Sequence, residues 1–205
     1  RELKEMLATA TGWLEKSASE VDALNVFPVP DGDTGTNMLL TMRSSMDEAS
    51  QTADSNASGV AQAIARGALL GARGNSGVIL SQIWRGLADG LKDKPNIDGP
   101  DLAEAMQQAS ITAYKGISNP VEGTILTVMK DAAAAALKQA EKKDNDLVSV
   151  MEAIVSAAEE FDLSFAESVP RPWFSSRILP EAEDPVYAEI MGSQLFNLGR
   201  FDEAR

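Results

Sequence analysis

The sequence predicts an all-α protein built as an antiparallel up-and-down bundle or barrel. Apolar residues recur at spacings of three and four along most of the chain, the period that gathers them onto one face of a helix. No run of β-branched or aromatic residues alternates with polar ones between turn signals, so no strand is expected. Only a few residues separate one periodic stretch from the next, which makes successive helices antiparallel neighbours.

Leu3, Met6, Leu7, Ala10, Leu14, Ala18, Val21 and Leu24 form the stripe of a first helix. Met38, Leu39, Met42 and Met46 mark a second, and Val60, Ile64, Ala68, Leu69 and Ala72 a third. Val78, Ile79, Ile83, Leu87 and Leu91 give a fourth; Leu102, Met106, Ala109, Ala113 and Ile117 give a fifth, with Pro100 in its first turn. A sixth runs from about Thr124 through the alanines at 132–136 to Lys142. The seventh uses Leu147, Val150, Met151, Ile154 and Ala158, with Asp146 as N-cap. Composition changes near residue 161: seven of the eleven aromatics and four of the nine prolines fall in the last 45 residues, which therefore read as a separate segment. The expected division is 1–160 for the helical domain and 161–205 for an atypical tail, irregular over 169–185 and then helical. The tail's end, Ala188 to Ala204, is similar to part of a tetratricopeptide repeat.

Composition excludes several functions. With 18 Lys and Arg against 31 Asp and Glu the formal net charge is −13, the wrong sign for neutralising a nucleic-acid backbone. Apolar residues make up 44%, enough to bury a core. Cysteine and histidine are both absent, which removes disulfides, thiolate and imidazole metal ligands, and Ser-His or Cys-His catalysis from this chain. No apolar run approaches the roughly 18 residues of a membrane span, and the start at Arg1 reads as trimmed. A cytoplasmic location is expected.

Three corners carry chemistry. Between the first and second helices lies Asn25-Val-Phe-Pro-Val-Pro-Asp31-Gly-Asp33-Thr-Gly-Thr-Asn37-Met38. Taken alone, this is a turn in which Asp33 or Thr34 caps the next helix. As a calcium loop it fails, because the sixth position from Asp31 is Thr36 and the twelfth is Met42. Magnesium fits better: it takes a few carboxylate oxygens and completes its shell with water and substrate phosphate. Thr34, Thr36 and Asn37 add donors at a helix N-terminus, where an anion is favoured. Gly71-Ala-Arg-Gly74-Asn75-Ser76-Gly77 joins the third and fourth helices, with Ser76 opening the fourth. It is no Walker loop, lacking both the Lys-Ser or Lys-Thr pair and a preceding strand. Pro120-Val-Glu122-Gly123-Thr124 opens the sixth helix. Each corner by itself is most simply a capped turn. In an antiparallel array, however, all three lie at one end, and together they suit a metal-bridged polyphosphate.

These blocks resemble the nucleotide-binding domain of the fatty acid kinase A subunit, a relative of the dihydroxyacetone kinase L subunit. The resemblance rests on NVFPVPDGDTGTNM at 25–38, GARGNSGVILSQ at 71–82 and PVEGTILTV at 120–128, and covers roughly residues 1–160. It implies an antiparallel barrel of about eight helices that binds ATP with two Mg²⁺ at one rim. By it, Asp31 and Asp33 are metal ligands and catalytic, with Asn25 a third ligand where dihydroxyacetone kinase relatives have aspartate. Thr34, Thr36 and Asn37 hold phosphates, Asn75, Ser76 and Gly77 form the second phosphate loop, and Thr124 walls the nucleotide pocket. The implied reaction transfers the γ-phosphoryl group of ATP to a fatty acid carboxylate presented by a carrier protein, giving an acyl phosphate; a homodimer is compatible. A carboxylate acceptor is already ionised near neutral pH, so the lack of histidine does not conflict. The family's Gly-Val-Val-Asp-Ser-Gly-Gly type segment has no counterpart in 161–205, which leaves the eighth helix and one pocket wall unassigned. A dihydroxyacetone kinase L-type subunit and a non-catalytic nucleotide-binding or interaction module are the alternatives.

Overall fold

A computed structural model describes residues 2–25, 29–53 and 56–168, with side chains described as far as residue 160. The irregular stretch, the repeat-like end and the missing eighth helix all fall outside the described residues. Among those described there are seven helices and no strand: α1 (Glu2–Ala23), α2 (Thr34–Ser50), α3 (Ala57–Gly71), α4 (Gly74–Gly90), α5 (Gly99–Gly116), α6 (Ile125–Ala140) and α7 (Leu147–Ser168). Every stripe of the sequence is a helix in the structure. α6 ends at Ala140, short of Lys142, and two further boundaries differ. α4 begins at Gly74, before Ser76, because Gly74 takes the left-handed φ of +56° and starts the first turn itself. α7 continues beyond Ala158 to Ser168, through the composition change at 161.

Local chemistry sets the helix ends. Asp98 and Asp101 form a reciprocal capping box at the start of α5, with Pro100 in the first turn where no N–H is needed. Asp146 accepts from the N–H groups of Val148 and Ser149 and from the Ser149 hydroxyl, so it caps α7 as expected. The Ser149 and Val148 donors hold its carboxyl below the usual value.

Packing passes along the chain in overlapping groups. Leu7, Ala49, Val60 and Ile64 join α1, α2 and α3; Ala61, Ala65, Ala88, Leu91 and Ala105 join α3, α4 and α5. Ile83, Ala109, Ala113, Leu126, Met129 and Ala133 then join α4, α5 and α6, and Ala103, Ala136 and Val150 carry the core to α7. Small residues set how closely the helices approach. A Cβ on Gly86 would lie 2.5 Å from the Ala109 Cα, and one on Gly90 would lie 2.6 Å from the Ala105 Cα. Four residues forward on α4 therefore match four back on α5, the register of an antiparallel pair. This alternation returns the starts of α2, α4 and α6 to one end of the unit spanning Arg1–Ala158. Among the described residues, no helix is long and apolar enough to cross a membrane.

Candidate functional site at the rim

The first two corners are physically joined. The Asn25 side-chain amide donates to Asp31 Oδ1 at 2.7 Å and to the Val29 carbonyl at 3.0 Å, which folds the loop back on itself. Asn25 Oδ1 accepts the Thr34 hydroxyl at 2.6 Å, and the Ser76 hydroxyl reaches Thr34 Oγ1 at 3.2 Å. Asp31, Asn25, Thr34 and Ser76 thus form one hydrogen-bonded chain running from the α1–α2 loop to the start of α4.

Beneath it lies Asn37. Its side chain is 8% exposed, and its Nδ2 is buried with no hydrogen-bond partner. A Cβ on Gly74 would lie 2.2 Å from that nitrogen, so the orphan amide sits directly under the corner between α3 and α4. A buried donor left unmade costs on the order of 1–3 kcal/mol. Such a group in a native site needs an explanation, of which a water, an ion or a ligand oxygen is one.

Asp33 occupies the N-cap position of α2 without a side-chain cap bond. The expectation that Asp33 or Thr34 caps this helix is corrected here: the cap comes from Asp22, near the end of α1. The Asp22 carboxylate accepts the Thr36 N–H at 3.0 Å and the Thr36 hydroxyl at 2.6 Å. Among the described residues, the Asp33 carboxylate makes no cap bond to α2. Thr36, expected at the phosphate, gives its hydroxyl to Asp22. The periodic pattern could not reveal this because the partners are 14 residues apart and meet only where α1 crosses α2.

The Thr36 hydroxyl, and after it the Thr36 N–H, hold the Asp22 carboxyl below its ordinary value of 3.8. A carboxyl depressed in the folded state stabilises it fully above the unfolded pKa and loses that contribution as the pH falls through the folded pKa. The melting-temperature gap between wild type and Asp22→Ala is therefore expected to be largest near neutrality. It should narrow as the pH falls through the ordinary carboxylate range and on through the lower folded-state value. A gap independent of pH would show that the carboxylate charge is not what holds the cap.

In the second corner, Asn75 is exposed, whereas Gly77 is buried. The Gly77 N–H goes to the Arg73 carbonyl at 2.9 Å, and a Cβ there would meet Thr41 Oγ1 at 2.4 Å. Gly77 therefore lets α4 pack against α2. The third corner is organised separately, around Glu122. Its carboxylate accepts from the Tyr114 hydroxyl at 3.1 Å, the Thr127 hydroxyl at 2.9 Å and Lys130 Nζ at 2.9 Å. Lys130 first, then Thr127 and Tyr114, draw its carboxyl below the usual range. Thr124 caps α6 by accepting from the Leu126 N–H and donates its hydroxyl to the Val121 carbonyl. Among the described residues, no hydrogen bond ties this corner to the other two. Glu122 and Asp22 are the two organising residues that periodicity missed.

The described residues contain no cluster of three or more His, Cys, Asp or Glu side chains. The acidic set at the rim is smaller: Asp31 and Asp33, with the amide of Asn25. The DAK2 domain matches residues 28–171, a stretch that includes all three corners apart from residues 25–27 of the first. The chain belongs to the DAK2 domain family. DAK2 domains are like the L subunit of dihydroxyacetone kinase, and the family is that of kinase-related nucleotide-binding modules. The chain is also similar to protein YloV of Bacillus subtilis (strain 168), 48% identical over 159 residues that cover 78% of this chain and 29% of that one. An uncharacterized protein of Staphylococcus aureus (strain USA300) is 46% identical over 156 residues, covering 76% and 28%. The chain thus spans less than a third of the length of these relatives, which share its DAK2 region.

Proposed function

We propose that this DAK2 domain binds MgATP at the rim formed by the α1–α2 and α3–α4 corners, and that it serves a kinase whose acceptor is a fatty acid carboxylate. The observation that carries the reading is the orphan Nδ2 of Asn37, a buried donor beneath a hydroxyl-lined corner. A phosphate oxygen supplies the missing acceptor.

The residues at the rim fit a metal-bridged polyphosphate. Asp31 and Asp33 would hold Mg²⁺ with carboxylate oxygens, with Asn25 supporting Asp31 and able to offer its own oxygen; two ions match the family resemblance. Bound there, magnesium supplies charge neutralisation of the phosphates. The Thr34 and Ser76 hydroxyls, already linked to each other, turn toward phosphate oxygens, and Asn37 donates from below. Asn75 and the N-terminus of α4 face the same end, where partial positive charge favours an anion. Thr124, at the start of α6, borders the nucleotide. Phosphoryl transfer depends chiefly on positioning and charge neutralisation, so a rim without histidine suffices. The carboxylate acceptor needs no general base.

In-line placement of an acceptor is worth on the order of 7–11 kcal/mol of barrier. We assign that placement to a fatty-acid-binding carrier protein together with the parts of the relatives that lie beyond the matched region. The test is acyl phosphate formation, trapped with hydroxylamine, from MgATP and carrier-bound fatty acid. Product is expected with carrier present, and little or none from residues 1–205 with free fatty acid alone. Dihydroxyacetone phosphorylation without acyl phosphate would transfer the reading to the other acceptor class.

A further inference from the structure

Resting on that nucleotide-binding reading, we propose that Arg73 is a phosphate-contacting residue of the rim, the cation that complements the metal side of the site. In the two joined segments, 22–37 and 71–77, Arg73 is the one lysine or arginine, set against Asp22, Asp31 and Asp33. A polyphosphate entering such a rim meets the Asp31 and Asp33 carboxylates, while the Asp22 carboxylate is taken up by Thr36. Magnesium offsets charge on the Asp31 and Asp33 side, and Arg73 is the residue that does so on the α3–α4 side.

Its surroundings leave it available. The backbone of Arg73 is fixed: its N–H donates to Thr41 Oγ1 at 3.3 Å, and its carbonyl accepts the Gly77 N–H at 2.9 Å. The side chain, by contrast, is exposed and donates Nη1 to the Ala72 carbonyl at 2.9 Å. Two other arginines are committed to carboxylates, Arg43 to Glu15 and Arg66 to Glu48. Arg73 has a neutral acceptor instead, which occupies one of its five N–H donors. A guanidinium held on its own chain's carbonyl keeps its charge and its two-pronged edge for a phosphate.

The neighbourhood points to the same ligand independently. The Ala72 carbonyl carbon lies 3.5 Å from where a Gly77 Cβ would be, and the Asn37 carbonyl lies 3.4 Å from the same point. The backbone of Arg73 is held on Thr41, whose hydroxyl donates to the Asn37 carbonyl, and Gly74, next along the chain, adjoins the orphan amide of Asn37, a residue 8% exposed. Asn37 from below and Arg73 from the rim offer donors to one anion.

The experiment compares wild type, Arg73→Gln and Arg73→Lys in the full 205-residue chain, using calorimetric titration with MgATP at two salt concentrations. Arg73→Gln is expected to weaken binding by about tenfold or more, and Arg73→Lys by less, since charge survives while the two-pronged geometry is lost. The salt dependence of affinity should fall in the glutamine variant, and melting temperatures should stay together because the side chain is exposed. Wild-type affinity in Arg73→Gln, with binding by wild type confirmed, would overturn the assignment and leave the nucleotide reading standing. Failure of wild type itself to bind MgATP would overturn both.

Discussion

Replacing Asp31 or Asp33 by asparagine is expected to reduce MgATP affinity by at least about 10–100-fold, the loss typical even of groups that only support a metal site. Chelating the metal with EDTA should do the same to wild type. The physical reason is charge. ATP brings about four negative charges to a protein at −13, and the two rim carboxylates repel the nucleotide unless a divalent ion stands between them. Neither substitution should disturb the helices. Asp33 makes no side-chain cap bond, and an asparagine at 31 retains an oxygen to accept the Asn25 amide. Calorimetry with far-ultraviolet circular dichroism checks both halves, and equal affinity in EDTA would remove the metal from the account.

The second large effect is on stability. A Cβ on Gly35 would lie 2.2 Å from the Ala18 carbonyl oxygen and 2.9 Å from the Ala18 Cα, where α1 crosses α2. The obstruction is backbone, so no side chain can rotate away. Gly35→Ala should cost about 3 kcal/mol, at the upper end for overpacked interiors. That corresponds to a drop of roughly 10 °C in melting temperature for a domain of this size. The same separation of the two helices would pull Thr36 from Asp22 and displace Thr34 and Asn37, so nucleotide binding should weaken in parallel. An unchanged melting temperature would mean that the crossing is looser than the structure describes.

Much of the fold was legible because helical periodicity is local: the ends of the stripes at Leu3–Leu24 and Leu102–Ile117 fall within three residues of the ends of α1 and α5. Two of the corners that motif chemistry singled out are joined in the structure, which links Asp31, Asn25, Thr34 and Ser76 into one chain. What escaped was everything that depends on a helix crossing. Asp22 looked like one more polar position on the first helix, but the α1–α2 contact makes it the cap of α2. The resemblance assigns Gly77 to a phosphate loop, and its packing role is set by Thr41, a residue of another helix that an added Cβ would strike. Glu122 read as part of a turn, and only the meeting of α5 and α6 brings Tyr114, Thr127 and Lys130 to it. Burial escaped as well: a sequence cannot show that the Asn37 amide is enclosed without a partner.

That amide provides the most direct test. In a nitrogen-15-labelled sample, assigned by its loss in Asn37→Asp, the Asn37 side-chain amide resonances should shift on titration with MgATP and saturate with the calorimetric affinity. Their hydrogen exchange should slow as the buried donor acquires its phosphate acceptor. Saturating MgATP that binds this chain while leaving those resonances unmoved would contradict the account, because the nucleotide would then lie somewhere other than the rim.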